Sequence, residues 1–436
     1  MTKPHLTPGP KKTFRRYPRI LKKSLSLLAI CLASVQANAE PEVGAIRVLF
    51  LGHESEHHNS NKFYPMLAKA LGRDAIYFDY VTSVEEALGD AAYLNKFDAL
   101  LLYANHGRIT PGQWKNLKGY VEGGGGFVPV HCASWCFGNE PGFDQLVGGR
   151  FASHKTGIFT AKVVDPKHPA MAGVKEFEAW DETYKHRNHN KKDRQVLMVR
   201  EVAEKGDNIT EPEPWTWVRT QGKGRVFYTA SGHDERVWKQ PAFHQLLKAG
   251  ILWSVGDARK QSYEKFIAGR VPLKYEKRDH IANYEKRSEP LPYQFPLSAK
   301  DSMDYTQAPV GFRLELFASE PDVINPIGLA WDERGRLWVA ETVDYPNEMT
   351  PNRVGNDKIK ILEDTDGDGK CDKVTVFAEG LNIPTSLTFS RGGIIVAHVP
   401  DFLFLNDTDG DDKADVREVL NTGWGTSDTH AGPSNL

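Results

Sequence analysis

Four consecutive glycines, Gly123 to Gly126, open onto Phe127-Val-Pro-Val-His131-Cys132-Ala-Ser-Trp-Cys136, so an apolar strand ends on two reactive side chains and then turns sharply. That layout is a nucleophile elbow. A strand-to-helix turn of this kind exposes the side chain at its apex. It also aims backbone N–H groups and a helix N-terminus at whatever binds there, which favours developing negative charge. The candidate site therefore starts at His131 and Cys132, with either residue at the apex.

A strand that ends in such a turn needs a sheet around it, and the surrounding pattern supplies one. Residues 46–51, 75–81, 99–103, 127–130 and 225–229 read as strands, and residues 61–71, 114–122 and 243–255 as helices. Strands alternating with helices predict an α/β domain, a flavodoxin-like parallel sheet covered by helices over residues 45–257. The whole chain of 436 residues exceeds one ordinary hydrophobic core, so further domains are expected. Residues 258–305, rich in Lys, Arg, Glu, Tyr and Pro without apolar periodicity, read as a linker. From residue 306 the grammar becomes all-β, with short strands at 313–317, 336–340, 358–362 and 394–397 punctuated by Gly, Pro and Asp. Asn325-Pro326-Ile-Gly-Leu-Ala-Trp331 followed by Gly335-Arg-Leu-Trp-Val-Ala340 is echoed by Asn382-Ile-Pro384-Thr-Ser-Leu-Thr-Phe389 followed by Gly393-Ile-Ile-Val-Ala397. Repeats at such spacing predict propeller blades. Residues 306–436 hold too few for a closed ring, so an incomplete propeller and an interrupted chain are expected.

The N-terminus carries Lys11, Lys12, Arg15, Arg16, Arg19, Lys22 and Lys23 before an apolar stretch over residues 25–35 and then Ala37-Asn38-Ala39. This is the pattern of a cleavable signal peptide over residues 1–39, with export to a bacterial periplasm. The apolar stretch is roughly half the 20 residues of a membrane span, so the mature chain is expected to have none. Hydrophobic residues at 40%, charged residues at 26% and a formal charge of −2 describe a globular chain with no general affinity for nucleic acid. Oligomeric state is left open.

Cys132, Cys136 and Cys371 remain after cleavage, and no Cys-x-x-Cys-His haem-attachment signal occurs. In the all-β part, Asp364-Thr-Asp366-Gly-Asp368-Gly-Lys-Cys-Asp372 alternates oxygen donors with glycine. Asp407-Thr-Asp409-Gly-Asp411-Asp-Lys-Ala-Asp415 repeats it. Hard carboxylates converging from a short loop suit calcium, although neither loop has the Glu that completes an EF-hand, and a solvated Asp-Gly turn needs no ion.

In the α/β part, polar side chains crowd where strands should end: His53, Glu54, His57 and His58 after the first, His106 after the third, then His131 and Cys132. Open α/β sheets bind ligands at the carboxyl ends of their strands. His154, Asp181 and Glu182 in Trp180-Asp-Glu-Thr-Tyr184, and Gly232-His233-Asp-Glu235 directly after a strand, join the same group.

Residues 45–257 resemble the ThuA-like (trehalose-utilisation) family, a branch of the class I glutamine amidotransferase-like fold. The residues that carry the resemblance are Val48-Leu-Phe-Leu-Gly52, Gly124-Gly-Gly-Phe-Val-Pro-Val-His131, Trp180-Asp-Glu-Thr-Tyr184, Gly224-Arg-Val-Phe-Tyr-Thr229 and Gly232-His233-Asp-Glu235. The resemblance implies a role in sugar metabolism rather than glutamine hydrolysis, with His131 at or beside the position of the amidotransferase Cys. From residue 306 the chain is similar to the start of a membrane-bound dehydrogenase propeller of planctomycete type, at Gly311-Phe-Arg-Leu-Glu-Leu-Phe-Ala318 and from Asn325-Pro326-Ile-Gly328 to Asp344. That resemblance implies a fold and no activity.

Three functional classes follow. In the first, an exported enzyme performs acid–base chemistry on a sugar, keto-sugar or other small molecule. His131, His233, Asp181 and Glu182 are then catalytic, His53, His58, His154, Trp180 and Tyr184 contact substrate, and a divalent metal sits on histidines. In the second, Cys132, His233 and Glu235 form an amidotransferase-like relay. In the third, Trp135, Trp180, Trp215, Trp217 and Trp238 offer stacking faces to sugars in a non-catalytic binding module.

Overall fold

In the computed structural model the described residues are 43–203, 207, 209–280, 283, 286–288, 290–345, 352–425, 433, 434 and 436. The expected signal peptide lies outside them. Strand β1 (Ile46–Leu51) is buried on both faces apart from Arg47, which suits only an interior position in a covered sheet. Strands β2 (Ile76–Val81) and β3 (Ala99–Leu102) flank it in parallel, and β4 (Gly126–Pro129) lies parallel to β3. The strand Gly224–Thr229 lies parallel to β4, and from there the sheet continues antiparallel through Glu213–Gln221, Arg194–Arg200 and Lys162–Val163. The result is one eight-stranded mixed sheet. It places the carboxyl ends of β1, β3, β4 and Gly224–Thr229 side by side.

Helices cover this sheet where the pattern expects them. Helix α1 (Ser60–Gly72) starts at Asn59, whose side chain accepts from the Lys62 N–H. The helix Pro111–Gly123 starts with a reciprocal Thr110–Gln113 capping box and ends at Gly124, whose φ of 123° turns the chain into β4. The helix Pro241–Ser254 buries Phe243, Leu246, Leu247 and Ile251 against the sheet. The segment read as a linker opens with a further helix, Asp257–Gly269. A short apolar face, Tyr263, Phe266 and Ile267, packs on the core, and polar anchors fasten the helix further. Arg259 donates to Asp98 (2.7 Å) and to the Ala45 carbonyl (2.6 Å), and the Tyr263 hydroxyl donates to the Asp74 carbonyl (2.6 Å). Further on, the Ala308 carbonyl accepts from Arg47.

Two short hairpins stand over the sheet: Arg150–Ser153 pairs with Lys185–Arg187, and Thr156–Thr160 with Glu178–Glu182. They carry Glu182 and His154 to the carboxyl ends of the parallel strands.

The C-terminal region forms two four-stranded antiparallel meanders. The first runs Pro326–Trp331, Leu337–Glu341, Asp357–Glu363, Lys373–Leu381, and the second Pro384–Ser390, Gly393–His398, Asp401–Asn406, Val416–Thr422. They share a core that includes Trp338, Ile361, Phe377, Leu387, Val396 and Leu405. The repeat seen in the sequence is thus a repeat of structure, and each Asp-rich loop joins the third and fourth strands of its sheet. Residues 313–317 are not a strand. They pair with no strand among the described residues, and Phe312, Leu314 and Leu316 stay exposed. Alternating side chains alone do not satisfy a strand's backbone. No helix among the described residues is long and apolar enough to cross a membrane.

Gly224 is a point where the domain admits no side chain. A Cβ there would lie 2.0 Å from the Val121 carbonyl oxygen and 2.8 Å from that of Gly125. Gly224→Ala is expected to lower stability by about 1–3 kcal/mol through overpacking against the end of the helix Pro111–Gly123. Urea unfolding measures this, and an unchanged midpoint would contradict the packing described.

Candidate active site at the strand carboxyl ends

After β4 the chain passes through Val130, which bridges Thr229, and then bends at His131 with φ of +49°. A non-glycine residue with positive φ is strained and is held there by its surroundings. This settles the register of the elbow, with His131 at the apex. On the neighbouring strand, Gly232 takes φ of +135°, which favours glycine, and a Cβ there would stand 3.3 Å from the His131 Cβ. The next residue is His233.

The His131 imidazole is fully buried. Its Nδ1 lies 2.6 Å from the Ala230 carbonyl oxygen, which can only accept, so Nδ1 carries a proton and Nε2 faces the cluster. That Nε2 is 3.2 Å from His58 Nε2 and 3.2 Å from Glu182 Oε2, and the Tyr184 ring stacks on the imidazole at 4.1 Å. Glu182 Oε2 is 3.5 Å from His58 Nε2, while its Oε1 is 3.2 Å from His233 Nδ1 and 3.5 Å from His154 Nδ1. Four imidazoles thus converge on one carboxylate.

Burial opposes ionisation of Glu182, but His131, His233 and His58 outweigh it and hold the carboxyl far below its ordinary range. Burial pushes His58 down to about 3, against the pull of Glu182. His233 moves the other way, because Glu182 and Asp181 overcome its desolvation. Asp181 is fully buried, which raises its pKa, and its carboxylate accepts from the N–H groups of Gly232 (3.0 Å), His233 (3.1 Å) and Glu182 (2.8 Å). It is a clamp that ties the Glu178–Glu182 strand to the His233 loop.

The other residues singled out in the sequence divide clearly. His53 is buried, donating from Nε2 to the His58 carbonyl and accepting at Nδ1 from the Asn105 N–H, so it shapes the His58 loop from behind. His106 donates to the Gly52 carbonyl in the same supporting manner. Cys132 lies buried under the turn, and burial pushes its thiol well up, as it pushes Cys136 up to about 12. Glu235 points away from the cluster and pairs with Lys62 and Lys239, so the His-x-Glu spacing does not build a Cys132–His233–Glu235 relay. Trp180 is half-buried with the Arg236 guanidinium 3.5 Å over its ring. Trp215, Trp217 and Trp238 are fully buried core residues and offer no face to a ligand, whereas Trp135 is 43% exposed.

Sequence reasoning missed a buried chain behind the elbow. Glu213 Oε1 accepts from both the backbone N–H and Nδ1 of His186, and His186 Nε2 meets the Tyr228 hydroxyl at 2.9 Å. Tyr228 in turn reaches the His131 carbonyl (3.1 Å) and Ser134 Oγ (3.0 Å). These residues sit within strands, where nothing in the spacing distinguishes them from core polar residues.

Above the cluster opens a cavity of about 270 Å3, walled by Trp135, Phe151 and Tyr184 and reached by His57, His58, Asn105, His154 and Glu182. A larger cleft of about 780 Å3 lies at the opposite, amino ends of the strands. Two of its charged side chains are committed to structure, since Arg259 bonds to Asp98 and the Ala45 carbonyl and the Arg47 guanidinium to the Ala308 carbonyl. The small cavity is therefore the better ligand site.

In the Asp-rich loops, carboxylates of Asp364, Asp366 and Asp372, and of Asp407, Asp409 and Asp415, gather within 4.8 Å of one another. Asp368 and Asp411 stand outside these groups, each paired with a lysine two residues on, Lys370 and Lys413. Both loops also close on themselves: Asp364 and Asp407 accept from the Gly367 and Gly410 N–H groups at 2.7 Å, and Asp372 and Asp415 from the Thr365 and Thr408 hydroxyls.

No curated protein matches the chain. Two proteins of known structure, each described as a ThuA-like protein, are similar to part of the chain. The one from Parabacteroides merdae is 18% identical with a TM-score of 0.43, over 48% of this chain and 90% of its own. The one from Bacteroides uniformis is 20% identical with a TM-score of 0.42, over 50% and 94%. A β-galactosidase from Bacillus circulans aligns at 17% identity and a TM-score of 0.34, over 48% of this chain and 31% of its own. The family model for trehalose utilisation, ThuA, matches residues 47–254, and one for a domain of unknown function, DUF7133, matches residues 298–436. Residues 47–254 are therefore a ThuA-like domain, and the antiparallel meanders fall within the second matched domain, residues 298–436.

Proposed function

We propose that the ThuA-like domain is an exported carbohydrate-utilisation enzyme that performs acid–base chemistry on a small sugar or keto-sugar in the cavity above Glu182. The family match supports the carbohydrate role. The observation that carries the chemistry is a single carboxylate surrounded by four imidazoles at the carboxyl ends of parallel strands. The cavity volume of about 270 Å3 falls just below the usual range of ligand sites, about 300–1,000 Å3, and suits a small substrate.

His154 and His57 are the proton carriers in this reading, because both reach the cavity and both are open to solvent. His154 Nδ1 lies 3.3 Å from the Lys155 carbonyl oxygen and 3.5 Å from Glu182 Oε1. A sugar hydroxyl, or a carbon next to a keto group, would lose its proton to one imidazole and regain one from the other. Trp135 supplies an aromatic wall for a sugar face. The thiol alternative is disfavoured by the buried, protonated Cys132.

The test is turnover of a panel of sugars and keto-sugars by the full chain. His154→Ala is expected to lower kcat by about 10²–10⁴-fold, the usual loss of a general acid or base. Cys132→Ala should retain wild-type turnover. Binding without turnover, insensitive to His154→Ala, would replace the enzyme with a binding module. Native alkylation supplies a separate check: iodoacetamide should label the partly exposed Cys371 and spare Cys132 and Cys136 until the protein is unfolded. Rapid native labelling of Cys132 would reinstate the thiol mechanism.

A further inference from the structure

We infer that His58, His131, His233 and Glu182 form a binding site for one divalent first-row transition-metal ion of the zinc class. Their donor atoms all lie within 4.8 Å of one another, and three of the four residues are buried. In a tetrahedral shell with bonds of about 2.0–2.1 Å, neighbouring donor atoms stand about 3.3–3.4 Å apart. The separations among His131 Nε2, His58 Nε2 and Glu182 Oε2 are 3.2, 3.2 and 3.5 Å. The cluster therefore already has the spacing of a coordination shell.

The hydrogen bonds around the cluster point the same way. His131 donates its Nδ1 proton to the Ala230 carbonyl, which is how a ligating histidine is usually oriented from outside the shell, and this aims Nε2 at the centre. Nε2 there faces two other acceptor-capable atoms, His58 Nε2 and Glu182 Oε2. A single proton can bridge one of the three pairs among His131, His58 and Glu182, whereas one dication satisfies all of them. His233 Nδ1 adds an independent sign. It is buried, lies 3.2 Å from Glu182 Oε1, and has no aligned hydrogen-bond partner. A buried polar atom without a partner is costly, and a shared cation in the cluster would engage it.

Three imidazoles with one carboxylate favour zinc, iron, nickel or manganese over magnesium and calcium, which take oxygen shells. Charge agrees, because Asp181 and Glu182 provide two buried carboxylates that together match one dication. His58 and Glu182 also border the cavity, so a ligand entering there meets the ion. On the enzyme reading above, and only on it, that ligand is a sugar hydroxyl or keto oxygen, with His57 and His154 left free to move protons.

The experiment uses the full chain, stripped with a chelator and then loaded separately with Zn2+, Mn2+ and Co2+. After gel filtration about one equivalent of ion is expected in the wild type, and well under about a tenth in His131→Asn and Glu182→Gln, since each loses a ligand the site needs. Circular dichroism verifies that these variants fold. Asp364→Asn with Asp407→Asn should leave the zinc content unchanged. Cu2+-loaded wild type provides a reading that does not depend on the folding of the buried variants: spin-echo modulation from coordinated imidazole nitrogen is expected. Wild type that retains none of the ions, ion retained undiminished by folded His131→Asn and Glu182→Gln, or bound copper without imidazole modulation would each overturn the site. A loaded protein that turns over no sugar would sink the enzyme reading and leave the metal site standing.

Discussion

The carboxylate of Glu182 is the charge around which the α/β domain is organised. It arrives from a hairpin outside the main sheet, yet it meets imidazoles from three different strand-end loops: His58 after β1, His131 after β4 and His233 after Gly224–Thr229. Burying such a charge is unfavourable unless partners compensate it. The compensation here comes from loops far apart in sequence, so the sheet must be in register before the carboxylate has a place to go. The Asp181 clamp on Gly232 and His233 makes the same connection through backbone N–H groups.

Much of this was legible beforehand, for physical reasons. Strands buried on both faces, such as Ile46–Leu51, read as unbroken apolar runs, and their ends are marked by the first polar residues that follow. That rule found His58, His131 and His233, and the acidic pair in Trp180-Asp-Glu-Thr-Tyr184 completed the set. What could not be read was direction. The choice between His131 and Cys132 depends on one positive φ, and Glu235 lies two residues from His233 yet turns to Lys62 and Lys239. Spacing along the chain says nothing of which way a side chain leaves a tight turn.

Two other misreadings have a common origin. The helix Asp257–Gly269 was hidden because its apolar face is only Tyr263, Phe266 and Ile267, while Arg259 and the Tyr263 hydroxyl supply polar anchors. Residues 313–317 alternate like a strand but pair with none among the described residues. Periodicity reports how a segment can be covered, and tertiary partners decide whether it is. In the C-terminal region the two agree, since each repeat of the sequence becomes one four-stranded meander with its Asp-rich loop in the same place.

The division of labour between sheet and hairpins sets how such a domain can diversify. The inner imidazoles stand on strand ends locked into an eight-stranded sheet, where a change of position would disturb the whole core. Phe151 and His154 stand instead on a two-stranded hairpin and the loop that follows it. Insertions or substitutions there would remodel the entrance and leave the inner cluster in place. The entrance and the inner imidazoles are thus carried on separate pieces of chain, and the first can change while the second stays fixed.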